Sequence, residues 1–528
     1  MHMMFAAARW SVALLLLTGL TFGTYCYVRP TAASPVVDKP KLDTRRPKIL
    51  PDLTPDGFIV LTGQMYGYLQ PCGCSRPQLG GLERRFELIK ELQARAPVTA
   101  ADLGDLGMKY RSFVPDQDKH KYEAALQMLA KMPYAALGIG PSELAMPLDQ
   151  ALGRAQNYQP PVVVLSNFQD PEQNFPEQFK PFTLVELQPS GLKVGYIGLL
   201  SDAVIAEAKA KDATLKWTAP AEALPGLLET LQQKQVDVRV LLWQGSNADA
   251  LKLLEAFPAA FHIILSRADA DIAPALPTRL GPKERETLLI NIGHKGRSVG
   301  IVGVKKQPNW PSMHYQMVDL VEGYELPDDQ TNPVRELMRD YVVAVYRNQY
   351  RSKFPTSKHA IHQLDGMAEA AFVGSAACQK CHPTAYATWY DSKHRQAYQG
   401  LVDYGRPVGE LTRPNEPPRR IGRQYDPDCM MCHVTGFALE KGFISEEKTP
   451  HLLGNQCENC HGPASLHVQF GDKTKHDPGT VRKYAAPLRL SINLSEGRCR
   501  ICHDTDNDPH FDLDKYWPKI KHGREPGQ

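Results

Sequence analysis

The sequence predicts a layered α/β domain followed by a mainly helical, loop-rich module, with one apolar helix near the start of the chain. Short apolar runs alternate with helical patterns between residues 56 and 325, which is typical of a layered α/β domain. Cysteine and histidine are concentrated in the last part, where 8 of the 11 Cys and 10 of the 17 His follow residue 377. A single apolar run, residues 10–28, is long enough to cross a membrane.

The composition is that of an ordinary globular protein. Among the 528 residues, 61 Lys and Arg balance 58 Asp and Glu, and 42% of the residues are hydrophobic. The resulting formal charge of +3 provides no basic excess for binding nucleic acid, so no nucleic-acid partner is expected. One long apolar run also excludes a membrane protein with several spans.

Residues 1–33 are predicted to be a signal anchor or a signal peptide. Between Arg9 and Arg29 lie 19 uncharged residues, which as a helix measure about 28 Å, close to the hydrocarbon thickness of a bilayer. The length favours an uncleaved transmembrane helix, whereas Ala32-Ala33-Ser34 offers a cleavage site for a removed signal peptide. Either way, the rest of the chain is expected on the periplasmic or extracytoplasmic side, after a tether over residues 34–55.

The α/β body is predicted to span residues 56–325. Its expected strands are Gly57 to Gly63, Val98 to Leu103, Tyr134 to Gly140, Pro161 to Leu165, Leu192 to Leu199, Val236 to Trp243, Phe261 to Leu265, Leu288 to Ile292 and Val299 to Val304. Its expected helices are Leu82 to Ala94, Tyr122 to Met132, Ala221 to Gln233 and Ala248 to Phe257. A further amphipathic helix over 329–350 is expected to leave this domain, within a helical linker over residues 326–370.

The last segment, residues 371–528, contains Cys-x-x-Cys-His four times. In chain order, the first to fourth motifs are Cys378, Cys381 and His382; Cys429, Cys432 and His433; Cys457, Cys460 and His461; and Cys499, Cys502 and His503. Two thiols at this spacing add to the two vinyl groups of one haem, and the adjoining His is held against the iron as proximal ligand. Zinc is the alternative, but it does not require a His after every second Cys. The motifs therefore predict four covalently bound c-type haems.

The length of this segment indicates how it is packed. About 150 residues cannot build an ordinary hydrophobic core around four haems, so the porphyrins are expected to fill the interior. Such a module is expected to have short helices, long loops and close contacts between haems. Close contacts between haems favour electron transfer. The His residues outside the motifs are candidates for distal ligands: His394, His451, His467, His476, His510 and His522. Of these, His451, His476 and His510 are expected to be surface residues.

Residues outside the four motifs also form a specific pattern in order and spacing. They are Val373 to Cys378, Tyr386, Trp389, Ser392-Lys393-His394, Cys432 to Phe437, Cys457 to His467, Cys502-His503-Asp504, Tyr516-Trp517 and Ile520-Lys521-His522. With these residues, positions 373–522 resemble the tetrahaem cytochrome c family of hydroxylamine-oxidising nitrifiers. The resemblance implies three distal ligands: His467 opposite His382, His522 opposite His461, and His394 opposite His503. It leaves the haem on His433 without a distal protein ligand.

A second set of motifs lies in the α/β body: Leu61 to Gly67, Gly80-Gly81-Leu82, Gly104-Asp105, Gly140 to Glu143, Leu241 to Gly245, and Ile264 to Asp269. They resemble the metallophosphoesterase domain of exported nucleotidases, which implies two packed sheets flanked by helices and a two-metal site. The metal positions here read Gln64, Tyr66, Asp105, Pro141, Ser142, Trp243, Arg267 and Asp269. Because only Asp105 and Asp269 can still bind a hard cation, we expect a degenerate domain without phosphatase activity.

These observations favour an exported, membrane-tethered cytochrome that carries electrons between redox partner proteins, with the α/β body as a docking or spacing module. An alternative is an enzyme in which the open haem at His433 converts a small nitrogen compound such as nitric oxide or hydroxylamine. A second alternative is a haem-linked module that binds a phosphorylated or sugar ligand in the degenerate cleft. No role is predicted for Cys72 and Cys74, since metal binding, a redox pair and a partner contact all stay open.

Overall fold

The computed structural model of the protein describes residues 44–72, 77–108, 114–326, 331–403, 423–490, 492–504, 507–508 and 511–523. The predicted apolar helix over 10–28, Cys74 and His510 therefore lie outside the described residues, as does the side chain of Cys72. None of the helices in the described ranges combines the length and apolarity needed to cross a membrane.

The α/β body contains two six-stranded sheets within the described residues. In chain order the strands are β1 Gly57–Thr62, β2 Val98–Asp102, β3 Tyr134–Leu137, β4 Val162–Val163, β5 Phe182–Leu187, β6 Leu192–Leu200, β7 Val238–Gln244, β8 Ile263–Ser266, β9 Thr278–Leu280, β10 Thr287–Ile290, β11 Ser298–Lys305 and β12 Ser312–Asp319. The first sheet has the order β12-β11-β1-β2-β3-β4 and the second has the order β9-β10-β8-β7-β6-β5.

Each sheet has a parallel centre and antiparallel margins. In the first sheet, β1 to β4 run parallel, whereas β11 and β12 pair in antiparallel fashion beside β1. In the second sheet, β6, β7, β8 and β10 run parallel, and the edge strands β5 and β9 are antiparallel. Helices on the outer faces make the connections: α1 Leu82–Gln93, α2 Pro115–Leu129, α3 Leu148–Gln156, α4 Asp202–Lys211, α5 Pro220–Gln233 and α6 Asn247–Ala256.

The two sheets pack face to face around one buried apolar layer. Alternate residues of β1 point to opposite sides, so that Ile59 and Leu61 join this layer while Phe58 and Val60 pack against the helices of the first sheet. Strands buried on both faces read as continuous apolar runs. The predicted layered α/β architecture is therefore confirmed.

All nine predicted strands overlap observed ones, but three edge strands were missed. Strands β5 and β12 alternate apolar with polar residues and are only partly buried, and β9 has just three residues. These three strands are not fully buried on both faces, so they carry no continuous apolar run. Helices α3 and α4 were also missed, although α3 buries Leu148, Ala151, Leu152 and Ala155 at helical spacing.

The helix expected to leave the body instead completes its core. Helix α7, Pro333–Arg347, buries Val334, Met338 and Val342 in the same apolar cluster as α1 and α2. Asn332 caps it by accepting hydrogen bonds from the backbone N–H of the first turn, and donates one to Glu87 on α1 at 3.0 Å. The amphipathic pattern was read correctly, but the pattern alone does not say which surface the apolar face covers.

The C-terminal module has short helices and little core. Its helices are α8 Pro383–Tyr390, α9 Ala397–Asp403, α10 Pro427–His433, α11 Cys457–His461, α12 Ser465–Phe470, α13 Pro478–Ala485, α14 Ile492–Cys499 and α15 Leu513–Tyr516. Two small apolar clusters are buried, one around Met430 and Phe437 and one around Ile361 and Met367. Few apolar side chains of this module are therefore buried against other parts of the polypeptide.

Replacing Gly198 by Ala is expected to destabilise the α/β body by about 1–3 kcal/mol, the usual cost of overpacking. A Cβ atom on Gly198, in β6, would lie 2.1 Å from the backbone carbonyl oxygen of Val164, which cannot move aside as a side chain can. Chemical denaturation of the full chain measures the change.

Gly153→Ala is the matched control, since no atom lies within 4 Å of a Cβ at this position in α3. It should stabilise the body by about 0.5–1 kcal/mol, because glycine weakens a helix interior. Equal effects of the two variants would contradict the close packing at Gly198.

Candidate functional site

Two of the four haem motifs lie on short helices that are capped locally. The second motif lies on α10, where the Asp426 carboxylate accepts a hydrogen bond from the N–H of Asp428 at 3.2 Å. The third lies on α11, which Gln456 and Asn459 close with a reciprocal capping box. In each, one helical turn brings the second Cys and the His close to the first Cys.

Three of the motif histidines are oriented by a hydrogen bond from Nδ1. His433 donates to the carbonyl of Ala397 at 2.6 Å, and His461 donates to the carbonyl of Leu488 at 2.7 Å. His503 donates to the carboxylate of Asp508 at 2.7 Å. A bond at Nδ1 fixes the ring and leaves Nε2 available for a metal, as in most metal-binding histidines.

Three pairs of histidine rings face each other across the module. The ring centres of His382 and His467 lie 6.1 Å apart. Those of His394 and His503 lie 6.1 Å apart, and those of His461 and His522 lie 5.8 Å apart. With a metal–nitrogen distance of about 2.0 Å on each side, two imidazoles on one metal ion have their centres about 6 Å apart. The structure thus brings together each pair that the cytochrome resemblance implies.

The fourth motif histidine, His433, has no second histidine ring at this distance within the part of the chain that the structure describes. His451 is exposed, and His476 packs edge-on against Phe470 with ring centres 5.5 Å apart. His510 lies outside the described residues. Burial lowers the pKa of His433 and so favours the neutral imidazole.

The cysteines of different motifs lie next to each other. The Cys378 thiol of the first motif hydrogen-bonds Cys457 of the third and lowers the pKa of Cys457 to about 7. In the same way, a hydrogen bond with Cys502 of the fourth motif, together with burial, raises the pKa of Cys432 of the second. The first motif therefore adjoins the third, and the second adjoins the fourth.

The third and fourth motifs are also neighbours. Burial raises the pKa of Cys460 to about 11, and the nearby Cys499 adds to this shift. Together, these contacts place the four motifs in the spatial order first, third, fourth, second, which differs from their order along the chain.

The surface of the module fits the apolar macrocycle of haem. Large apolar side chains that a small protein would normally bury are exposed here, among them Met431 and Ile501, each between the two Cys of its motif. Ile501 is 56% exposed, and Val468, beside His467, is exposed as well. The eight motif cysteines carry thiols that form no disulfide in the described structure. Cysteines, paired histidines and open apolar faces together meet the requirements of covalently attached haem.

Charged and polar contacts join the α/β body to the second motif. Lys121 on α2 forms a salt bridge with Asp428 on α10, and Gln117 donates a hydrogen bond to Asp426 at 3.0 Å. Burial disfavours a charged Lys121, but the Asp428 carboxylate outweighs burial and raises the pKa of Lys121 above its ordinary value. Burial would raise the pKa of Asp426, yet the neighbouring Arg423 and Lys121 hold it below its ordinary range. The network stays charged and fixes α10 on the body.

Side chains at the predicted metal positions of the body hydrogen-bond to each other and to the surrounding loops. Gln64, at a metal position, donates to Tyr66 Oη at 2.9 Å and to the Ala268 carbonyl at 3.0 Å, and accepts from the Ala268 N–H at 2.6 Å. Gln64, Tyr66 and Asp105 all have positive φ, between 50° and 58°. Residues other than glycine hold this strained conformation at functional loops. The loops therefore have an unusual backbone conformation at these positions, and the side chain of Gln64 joins two of them by hydrogen bonds.

Two buried carboxyl groups lie in this cleft. Burial raises the pKa of Asp105, whose Oδ2 atom lies 4.0 Å from Arg267 Nε. Burial and the nearby Asp105 raise the pKa of Glu143 to about 7. The Glu143 carboxylate accepts backbone N–H bonds from Asp105, Leu106, Gly107 and Gly140 at 2.7–3.2 Å. Glu143 therefore binds the loops to each other, a role that its place in the motif did not reveal.

Nearby acidic side chains are either exposed or paired with basic groups. Asp269 is exposed, whereas Asp271 binds Lys295 at 2.5 Å and lies 2.8 Å from Nδ1 of His294. The ring of His294 packs edge-on against Tyr66. Sequence reasoning missed Asp271 and His294 because neither lies at a motif position. Within the described ranges, no three His, Cys, Asp or Glu side chains are grouped so that they could hold a metal ion.

The C-terminal module is similar to known cytochromes. The family model for cytochrome c554 and c-prime matches residues 377–462, which contain the first three haem motifs. Cytochrome c-554 of Nitrosomonas europaea is 31% identical over 141 residues, which make up 26% of this chain and 59% of that protein. The chain thus spans less than two thirds of this relative. The cytochrome resemblance is confirmed, and it carries with it covalently bound c-type haem.

Solved structures similar to the chain include nucleotidases. A 5'-nucleotidase precursor from Thermus thermophilus has a TM-score of 0.46 at 19% identity, over 55% of this chain and 59% of that one. A sulfate thiohydrolase from Thermus thermophilus has a TM-score of 0.45 at 11% identity, over 56% and 61% of the two chains. Nucleotidases are the proteins that the motifs of the α/β body resemble.

The protein is expected not to hydrolyse nucleotides or phosphodiesters, even with added manganese or cobalt. Two-metal catalysis needs two ions about 4 Å apart, and Asp105 and Asp269 alone cannot hold both. Phosphate release from nucleotides and nitrophenol release from bis(p-nitrophenyl) phosphate, both measured on the purified full chain, test this. Metal-dependent turnover that disappears in the Asp105→Ala variant would show that the cleft is catalytic.

Proposed function

We propose that the protein is an exported tetrahaem c-type cytochrome that carries electrons between redox partner proteins. The observation that carries the proposal is the set of three histidine pairs with ring centres 5.8–6.1 Å apart. Each pair joins a motif histidine to His394, His467 or His522. Axial ligation by two histidines leaves no open position on the iron, which suits electron transfer and not ligand chemistry.

Each motif holds one haem through two thioether bonds from its cysteines. Haem iron, once bound, supplies reversible one-electron oxidation and reduction. The chain positions the attachment sites so that the first motif adjoins the third, the third adjoins the fourth, and the fourth adjoins the second. This order supports a continuous route through the module, with the first and second motifs at its ends.

The second motif is the end that contacts the α/β body. Lys121 and Gln117 hold α10 there through Asp428 and Asp426. The body thus supports one end of the route. The first motif, at the other end, is the place where a redox partner would bind. Export to the periplasmic side and tethering by the apolar run 10–28 complete the proposal, since c-type haem is attached in that compartment.

An enzymatic function is the second candidate, favoured by one observation. His433 is oriented by Ala397 but has no opposing histidine ring among the described residues. A five-coordinate iron there would bind a small ligand such as nitric oxide or hydroxylamine, while the other three motifs supplied or removed electrons.

The mature protein is expected to exceed its polypeptide mass by four haems, because each motif supplies two thiols and one ligand. Intact-mass spectrometry and the Soret absorption measure this. Replacing Cys499 and Cys502 by Ala should remove one haem, whereas replacing Cys72 and Cys74 by Ala, which lie outside the motifs, should remove none. Bound zinc without Soret absorption would overturn the proposal.

Electron paramagnetic resonance of the oxidised protein is expected to show one high-spin haem among low-spin ones, since no histidine ring opposes His433 among the described residues. Nitric oxide or cyanide should change that signal. The variant His467→Gly is the matched control, because loss of a distal ligand should add a second high-spin signal.

Four low-spin irons in the unmodified protein would contradict the open site and remove the basis for the enzymatic candidate. An open site that binds nitric oxide or hydroxylamine without consuming it would identify a carrier, whereas steady turnover would identify an enzyme.

A further inference from the structure

The histidine of the fourth motif differs from the others in the partner of its Nδ1 atom. His503 donates to the carboxylate oxygen of Asp508 at 2.7 Å, whereas His433 and His461 donate to backbone carbonyls. The side chain of Asp508 is 12% exposed, so water screens its charge only weakly. Among the motif histidines with a described Nδ1 partner, His503 alone bonds a carboxylate.

The loop after the motif holds this carboxylate in place. Asp508 donates its backbone N–H to the carbonyl of Asp504 at 2.9 Å. The Asp504 carboxylate in turn accepts from the backbone N–H of Asn507 at 2.6 Å and from its side-chain amide at 3.0 Å. On the other side, the ring of Phe511 stacks on His503 with centres 4.7 Å apart and planes 20° apart. The imidazole is therefore fixed by a hydrogen bond at its edge and a ring on its face.

We propose that Asp508 is a positioning residue that lowers the reduction potential of the haem iron on the fourth motif below that of the iron on the third. This inference rests on the proposed function, because it requires haem on both motifs. A carboxylate that accepts the Nδ1 proton gives the imidazole partial imidazolate character and makes Nε2 a stronger donor. A stronger donor, together with a nearby negative charge, stabilises the ferric state over the ferrous state.

The position of the fourth motif means that a change in its reduction potential affects electron transfer through the module. It adjoins the third motif through Cys499 and the second through Cys502. Asp508 therefore acts at the step between the bis-histidine motifs and the motif whose distal side is open. A lowered potential at the fourth motif makes electron transfer from the third motif to the fourth thermodynamically uphill.

The test is a potentiometric titration of the full-length, haem-loaded protein followed by visible absorption and electron paramagnetic resonance. The Asp508→Asn variant keeps a hydrogen-bond acceptor of the same shape but removes the charge. We expect one of the four midpoint potentials to rise and the other three to stay unchanged. Asp514→Asn is the charge-matched control, because Asp514 is exposed, and it should shift none of them.

Equal shifts in the two variants, or a shift spread over all four haems, would overturn the inference. A second measurement uses the unmodified protein and does not depend on a variant folding. Near-infrared magnetic circular dichroism should show one bis-histidine haem with its charge-transfer band at shorter wavelength, the signature of imidazolate character. Identical bands for all three would also overturn it. Absence of haem from the purified protein would instead overturn the proposed function, so the two failures are distinguishable.

Discussion

The C-terminal module depends on the separation of paired imidazoles. Three histidine pairs lie about 6 Å apart centre to centre, and each joins segments that are distant along the chain, such as His394 with His503 and His461 with His522. The buried apolar clusters of the module are small, so hydrophobic burial contributes less here than in an ordinary domain. Under the proposed function, haem ligation and covalent attachment would supply much of the stability of the module, as metals and cross-links do in other small domains with few buried residues.

Hydrogen bonds hold the loops of the α/β body together. Gln64, Tyr66 and Asp105 on these loops have positive φ values. Gln64 donates a hydrogen bond to Ala268, and four backbone N–H groups donate to the carboxylate of Glu143. Fold alone does not carry function from one protein to another. In this chain the body instead contributes a charged surface, around Lys121, that holds the second motif.

Asp508 extends the same reasoning from structure to function. Residues that touch the ligand histidines, and not only the ligands themselves, decide the properties of the iron. The carbonyl of Ala397 and the carboxylate of Asp508 both orient a motif histidine at nearly equal distances, 2.6 and 2.7 Å. They differ in charge, and that difference distinguishes otherwise similar attachment sites.

Features that depend on local spacing could be read from the amino-acid sequence alone. A Cys-x-x-Cys-His motif is a local arrangement, so its chemistry could be read without a fold, and continuous apolar runs revealed the strands buried on both faces. Partly buried edge strands such as β5 and β12 had no comparable signal. Other features could be known only from the tertiary structure. They are the surface covered by α7, the contact of Lys121 with Asp428, the spatial order of the motifs and the carboxylate beside His503. Each depends on which residues distant in the chain meet, and periodicity and spacing describe only neighbours along it.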